Sequence, residues 1–493
     1  MAGEISRRAF STGVAAGLGL LATGCRFFPG GPGAGSGGRR PGRRIRQPGD
    51  RPDARRPEGT DLLPGIEHIV IYMQENHSYD SYLGALRHGD GYQFRRGVPV
   101  NANPDPNGQL LRVFHAPDTC QSGRGVSQSW SSTHTQIDSG RMDGFLRDGN
   151  TNAMRYWDRS DIPFYWSLAE TFPVCDRWFA SAPAQTYPNR LYLQAATCQD
   201  LISTDTAKVV AMPRPAGGTI WEKLSQFGIS WIDYAFDLPD IALFPYLFTA
   251  NRDKVRNFPQ FLADCRSGAL PQVSIVSPGV TRYSEENPAD VQLGEAYSSS
   301  IINAVMHSPA WPKTVLLFMY DEHGGYYDHV PPPPAIPPDD IAPAVAPAPG
   351  APAAWNIYGI RVPAYVISPF SKRHYVSHVV HDHTSVLRFI ETKFNLGALT
   401  RRDANASNLL DCLQLHGRPP FLDPPELAAP GLPATGSRCT PDVPPPPTEA
   451  TVAATATPAV ATVTAHGTAA PVGSARYERQ KLLEHVVGTG HLV

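Results

Sequence analysis

The chain has 493 residues, enough for one large α/β domain with extensions or for two smaller domains. Its 43 Lys and Arg against 45 Asp and Glu leave a net charge of −2, which gives no electrostatic case for a nucleic-acid partner. Fifty prolines and 43 glycines are many for a compact core, and they cluster in separate stretches.

Residues 1–25 read as an address. Ser6-Arg7-Arg8-Ala9-Phe10 resembles a twin-arginine export motif, followed by an apolar run from Val14 to Leu21 that is too short to span a membrane. Ala22-Thr23-Gly24-Cys25 resembles a bacterial lipobox with Cys25 as the acylated residue, although alanine stands where leucine is usual. The expectation is an exported, extracytoplasmic chain that uses the twin-arginine machinery, with a lipid anchor at Cys25 favoured over a simple cleaved signal. Beyond Cys25, six cysteines remain at 120, 175, 198, 265, 412 and 439, an even number that permits up to three disulfides. None lies in a C-x-x-C pattern, so they read as structural.

Residues 26–64, rich in Gly, Pro and Arg, read as a linker, and residues 65–439 as the folded domain. Ile66 to Met73 is an apolar strand with Gln74-Glu75-Asn76-His77-Ser78-Tyr79-Asp80 at its carboxyl end. A loop-rich segment from Arg87 to Ser132 precedes Thr133-His134. Ile162 to Cys175 has helical spacing, with Asp161 suited to cap it. A small-residue turn runs from Phe179 to Arg190, and helix is expected from Leu191 to Thr197. Thr219 suits the cap of a helix over Ile220 to Phe227, ahead of short strands at Ile229 to Asp233 and Val273 to Val276. An amphipathic helix is expected over Gly294 to Met306.

The apolar run from Thr314 to Tyr320 has the pattern of a strand buried on both faces, and Asp321, Glu322, His323, Asp328 and His329 come after it around Gly324-Gly325. In open α/β sheets ligands sit beyond the carboxyl ends of the strands, so both polar clusters fall where chemistry is expected. Adjacent carboxylates also call for a cation to hold them together. Pro331 to Ala354 reads as an inserted surface loop. Then come a strand at Val362 to Ile367, His381-Asp382-His383, and a helix from Ser385 to Phe394. Residues 440–493 are a Pro, Ala and Thr-rich tail with a short terminal helix. The alternation predicts a three-layer α/β/α sandwich around a mostly parallel sheet, with loop insertions.

Four segments resemble one family, the phospholipase C and acid phosphatase phosphoesterases of the alkaline-phosphatase-like superfamily. They are Met73 to Asp80, Thr186-Tyr187-Pro188-Asn189-Arg190, Tyr320 to His329, and Arg361 through Ser371 to Ser385. The resemblance implies one divalent metal ion held by Glu75, Asn76, Asp321 and Glu322, with Thr186 on the metal as nucleophile. Metal coordination is one of few ways to activate a threonine hydroxyl. The oxygen-rich set favours Ca²⁺, Mg²⁺ or Mn²⁺ over zinc, which usually recruits imidazole, but does not distinguish among the four. His134 matches a family histidine near the phosphate, a candidate for transition-state stabilisation or proton transfer, and His323 is a candidate for the same work. Asp328 and His329 read as orienting groups, and His381 and His383 as either catalytic or orienting, with Asp382 beside them suited to cap the helix that follows. Many relatives have His-Pro ahead of the helix that bears Gly294-Glu295; here the pair is Asn287-Pro288.

The resulting expectation is a phospholipase C acting on a phospholipid at a membrane surface through a phospho-threonine. An acid phosphatase of soluble phosphomonoesters and a non-catalytic phosphate-binding surface lipoprotein are the alternatives.

Overall fold

The computed structural model describes residues 44–121, 123, 125–345, 354–454, 478, 481–482 and 484–485. The export motif, Cys25, residues 26–43 of the expected linker, the middle of the Pro331 to Ala354 loop and most of the tail beyond 454 lie outside the described residues. Among the described residues no helix is long and apolar enough to cross a membrane.

One eight-stranded sheet organises the domain. In chain order its strands are β1 (His68–Gln74), β2 (Val174–Cys175), β3 (Trp231–Ala235), β4 (Val255–Asn257), β5 (Val273–Val276), β6 (Thr314–Tyr320), β7 (Ala364–Ile367) and β8 (Val376–Ser377). They lie side by side as β4-β3-β5-β1-β6-β7-β2-β8. Only β7 runs against its neighbours; every other pairing is parallel. All seven residues of β6 and six of seven in β1 are buried, so both sheet faces are covered and the chain is an α/β protein. β1 and β6 pair along their whole length, from His68 opposite Thr314 to Gln74 opposite Tyr320. That register ends the two strands together and makes Glu75 and Asp321 neighbours, with Asp321 N donating to Gln74 O at 3.1 Å.

The helices that bear on the site are α1 (Tyr79–Leu83), α2 (Trp130–Ile137), α3 (Pro163–Thr171), α4 (Thr186–Ala195), α5 (Ile220–Gln226), α6 (Phe258–Ser267), α7 (Val291–Met306) and α8 (Thr384–Phe394). The Thr219 cap of α5 closes a capping box with Glu222, as the sequence pattern anticipates. Three local expectations are corrected. Asp161 does not cap α3: its carboxylate accepts from Asp158 N and His115, while the first-turn amides of Phe164 and Tyr165 donate to Glu295 Oε1 of α7. Helix α4 starts at Thr186 rather than Leu191, because Pro188 sits in the first turn, where its missing N–H costs nothing. Helix α7 is buried on nearly every side rather than amphipathic, packed between α6, α3 and β6.

Residues 45–64, read as part of a linker, lie against the domain. Asn395, at positive φ just after α8, donates from Nδ2 to Asp53 O and Pro57 O at 3.0 and 2.9 Å, and Gly49 N donates to Ala398 O at 2.8 Å. The inserted loop is also pinned. Buried Arg402 donates to Trp355 O at 2.8 Å and to Ile336 O at 2.5 Å. A second, smaller apolar cluster joins Tyr92 of the loop-rich segment to Ile137, Met142, Phe145 and Tyr327. Among the described residues one disulfide forms, Cys120–Cys439, while Cys175, Cys198, Cys265 and Cys412 are buried thiols.

Candidate active site

The ends of β1 and β6 carry the two polar clusters, and α4 carries the third. Glu75, Asp321, Glu322 and Thr186 are fully buried and Asn76 nearly so. Thr186 is the first residue of α4 and Arg190 lies one turn on, so both side chains project from the same face of the helix. The Arg190 guanidinium reaches Glu75 Oε1 at 3.1 Å, Asp321 Oδ2 at 3.4 Å and Asp240 Oδ1 at 2.9 Å, and donates to Met73 O at 3.1 Å. Burial works against its charge, and Glu75, Asp240 and Asp321 more than offset that, so its pKa rises further. Asn189 shapes the turn before α4. It accepts from Ala182 N at 3.0 Å and donates to Ala184 O at 2.9 Å.

Asn76 and Glu322 meet directly, Nδ2 donating to Oε1 at 2.8 Å. Glu322 Oε2 accepts from Gly324 N at 2.8 Å. Gly324 has φ +63°, and a Cβ there would stand 2.2 Å from Asn76 O. Only glycine lets the turn after β6 fold this closely over the end of β1.

The donors fit a hard cation. Glu75, Asp240 and Asp321 share one guanidinium, and Glu322 is buried next to Asp321; buried negative charge in such excess needs a positive ion. Asn76 Oδ1 is buried without a hydrogen-bond partner among the described residues, an amide oxygen of the kind that ligates Ca²⁺, Mg²⁺ or Mn²⁺. Among the described residues, groups of three ligand-type side chains with donor atoms within 4.8 Å of one another lie elsewhere, at Asp80, Asp328 and His329 and at His115, Asp158 and Asp161. The first already holds a cation. Arg361 sits on Asp80 at 3.0 Å and Asp328 at 2.9 Å, and His329 is 2.7 Å from Asp80. Asp328 and His329, expected to orient the metal ligands, belong instead to this separate ion-pair network.

The histidines divide by geometry. His134, on α2, donates from Nδ1 to Trp130 O at 2.8 Å and packs 4.3 Å from the Trp130 ring, leaving Nε2 buried and without a hydrogen bond among the described residues. Burial lowers its pKa, against the opposing backbone bond, so the ring is neutral with a bare Nε2. His323 meets a different geometry from the catalytic one expected. Its Nε2 donates to Gln136 Oε1 at 2.8 Å, its Nδ1 lies 3.3 Å from Glu322 Oε2, and burial lowers its pKa to about 3. Its N–H is thus taken up by Gln136, and Nδ1 of the neutral ring faces a carboxylate that cannot donate to it. His383 reaches Asp321 O, and His381 lies 3.6 Å from Asp411; Asp382, expected to cap α8, accepts instead from the Thr384 hydroxyl. Asn287 donates to Tyr326 OH at 3.1 Å.

The sequence alone assigns no role to Arg190, which closes the Thr186–Arg190 motif, or to Gln128, Gln136 and Glu285. A charged residue four places after Thr186, in a helix otherwise buried, was the signal for Arg190. Gln128 accepts from Asn76 Nδ2 at 3.2 Å, and Glu285 N donates to Glu75 O at 3.0 Å, contacts that no spacing encodes.

Comparison with known proteins gives the family. The family model described as Phosphoesterase family matches residues 66–397. The chain is 32% identical over 384 residues to the non-hemolytic phospholipase C of Pseudomonas aeruginosa, covering 68% of this chain and 54% of that one. It is 32% identical over 435 residues to phospholipase C B of Mycobacterium tuberculosis, covering 75% and 83%. Non-specific phospholipase C1 of Arabidopsis thaliana is 30% identical over 396 residues, covering 72% of each. Against a solved structure from Vibrio parahaemolyticus, titled as a protein in the alkaline phosphatase superfamily, the TM-score is 0.33 at 12% identity, covering 50% of this chain and 63% of that one. The chain spans about half the length of the Pseudomonas relative and most of the Mycobacterium one.

Proposed function

The chain belongs to the Phosphoesterase family of phosphoric ester hydrolases, and we propose that it is a phospholipase C that cleaves glycerophospholipids to diacylglycerol and a phosphorylated headgroup. The observation that carries the reading is the convergence of Thr186 and Arg190, on one face of α4, with the carboxylates that end β1 and β6. The names of the relatives favour the lipid substrate over a soluble phosphomonoester.

Glu75, Asn76, Asp321, Glu322 and the Thr186 hydroxyl would hold the divalent ion. When bound, the ion supplies Lewis-acid charge and lowers the pKa of a hydroxyl beside it. Thr186 Oγ1 attacks phosphorus, and the bond to the glyceryl oxygen breaks. His134 Nε2 takes up the threonine proton and delivers it to that departing oxygen. The N-terminal end of α4 faces the negative charge that builds on the phosphoryl group. In the second step His134 Nε2 accepts a proton from water, which attacks phosphorus, and returns it to Thr186 Oγ1 as the P–Oγ1 bond breaks and the phosphorylated headgroup is freed. Arg190 pairs with Glu75 and Asp321 and fixes their carboxylates, while the Asn76 amide and Gly324 N–H hold Glu322 beside His323. The amino-terminal residues support export and acylation at Cys25, which would place the enzyme at a membrane surface.

The test is hydrolysis of phosphatidylcholine and of p-nitrophenyl phosphate by the purified protein and by Thr186→Ala, with and without chelator. Metal-dependent diacylglycerol release that disappears in Thr186→Ala is expected. Activity on the phosphomonoester alone moves the reading to acid phosphatase, and activity that survives Thr186→Ala overturns the nucleophile.

A further inference from the structure

The peptide group joining Asp321 to Glu322 carries a candidate ligand on each side. Its carbonyl oxygen, Asp321 O, lies 2.7 Å from His383 Nε2. On the opposite edge of that ring, Nδ1 accepts from the Trp178 indole N–H at 3.3 Å. An indole nitrogen only donates and a carbonyl only accepts, so the two partners fix the imidazole as the Nε2–H tautomer. The ring is fully buried, and neither nitrogen is left for substrate.

The two segments that build this contact are remote in the chain and locked together by backbone. Phe179 N donates to His381 O and His381 N to Arg177 O, each at 2.9 Å. Trp178 comes after β2 and His383 opens α8, so the ends of two outer elements converge on one carbonyl at the end of the central strand β6. From this geometry we infer that His383 is a positioning residue for the metal centre. It holds the plane of the Asp321–Glu322 peptide, and so the directions of both carboxylates, without touching substrate or moving a proton. The inference rests on the proposed metal centre at Glu75, Asn76, Asp321 and Glu322. A rotation of that peptide swings both side chains at once, so one hydrogen bond to its carbonyl constrains two ligands. Outer partners of this kind cost about 10–100-fold in metal affinity or activity when removed.

The test uses Mn²⁺ alone as the probe, titrated calorimetrically into the full chain and into two variants. In His383→Gln the side-chain amide reaches where Nε2 stood and still donates to Asp321 O. In His383→Asn the shorter side chain stops near the position of Nδ1, keeps an acceptor for Trp178 and loses Asp321. The expected result is near wild-type Mn²⁺ affinity for His383→Gln and a loss of about 10–100-fold for His383→Asn, with kcat falling and KM unchanged. A folded His383→Asn that binds Mn²⁺ like wild type, or a His383→Gln that loses as much as His383→Asn, overturns the positioning role. Should His383→Asn fail to fold, Trp178→Phe decides, since it keeps the imidazole but frees its tautomer. A several-fold weaker affinity supports the inference and an unchanged one overturns it. A wild-type chain that takes up no Mn²⁺ sinks the metal centre itself, a failure distinct from unequal behaviour among the variants.

Discussion

Asn76 donates to Glu322 at 2.8 Å, joining residues that lie just past two different strands, β1 and β6. The bond exists because those strands are adjacent, parallel and in register to their last residues. A carboxylate can only accept, so Nδ2 faces Glu322 and Oδ1 is turned away, buried and without a hydrogen-bond partner among the described residues. Asn76→Ala therefore removes both the tether of Glu322 and the oxygen proposed above as a metal ligand. Activity is expected to fall by at least about 100-fold, with the metal concentration for half-maximal rate raised. A metal titration of the rate checks this, and full activity at saturating metal would show that Asn76 only tunes affinity.

Arg190 is buried among Glu75, Asp240 and Asp321. Arg190→Met leaves three buried carboxylates without their guanidinium and is expected to cost about 3–5 kcal/mol of stability. Arg190→Lys will not restore it, because one ammonium cannot span three partners with the fork that a guanidinium offers. Urea denaturation measures both variants. The deficit should shrink when divalent metal is added, as the cation takes over part of the neutralisation.

Glu285 accepts from Tyr82, Tyr165 and Tyr320 behind the site, and burial pushes its pKa from 4.5 up to about 8 despite those three donors. The folded chain thus keeps a proton that the unfolded chain releases. Its stabilising contribution is full below about pH 4.5 and is lost as the pH rises through about 8. Glu295, raised by burial to about 8, acts the same way. The urea midpoint is expected to fall between about pH 5 and about pH 8.5, a loss on the order of a few kcal/mol. Glu285→Gln, which cannot ionise, should flatten that slope, and an unchanged slope would assign it to other groups.

The Cys120–Cys439 disulfide closes a sequence separation of 319 residues and anchors the segment that contains Gln121, whose amide donates to Glu285 O at 2.5 Å. Cys120→Ser is expected to cost about 2–5 kcal/mol, read as a fall in Tm that reducing agent reproduces in the wild type but not in the variant. The four buried thiols should stay unreactive to a thiol reagent until the chain unfolds.

The sequence by itself determined the strands and the polar clusters at their carboxyl ends. An apolar run such as Thr314 to Tyr320 has few ways to hide except inside a covered parallel sheet, and the polar residues after it must then emerge at the strand end. The same local logic made Thr219 a cap and left Gly324-Gly325 as a turn. Only the tertiary structure decided the partners. Asp161 lost α3 to Glu295, which sits on a helix remote in the chain. Asp328 and His329 went to the network of Asp80 and Arg361 rather than to the metal ligands. Two of six candidate cysteines paired. His323 turned to Gln136, and His383 to the carbonyl of Asp321. In each case several groups of the right chemistry were present, and the choice depended on which backbone segments the sheet order brought within hydrogen-bond reach. That is a long-range property that no local spacing encodes.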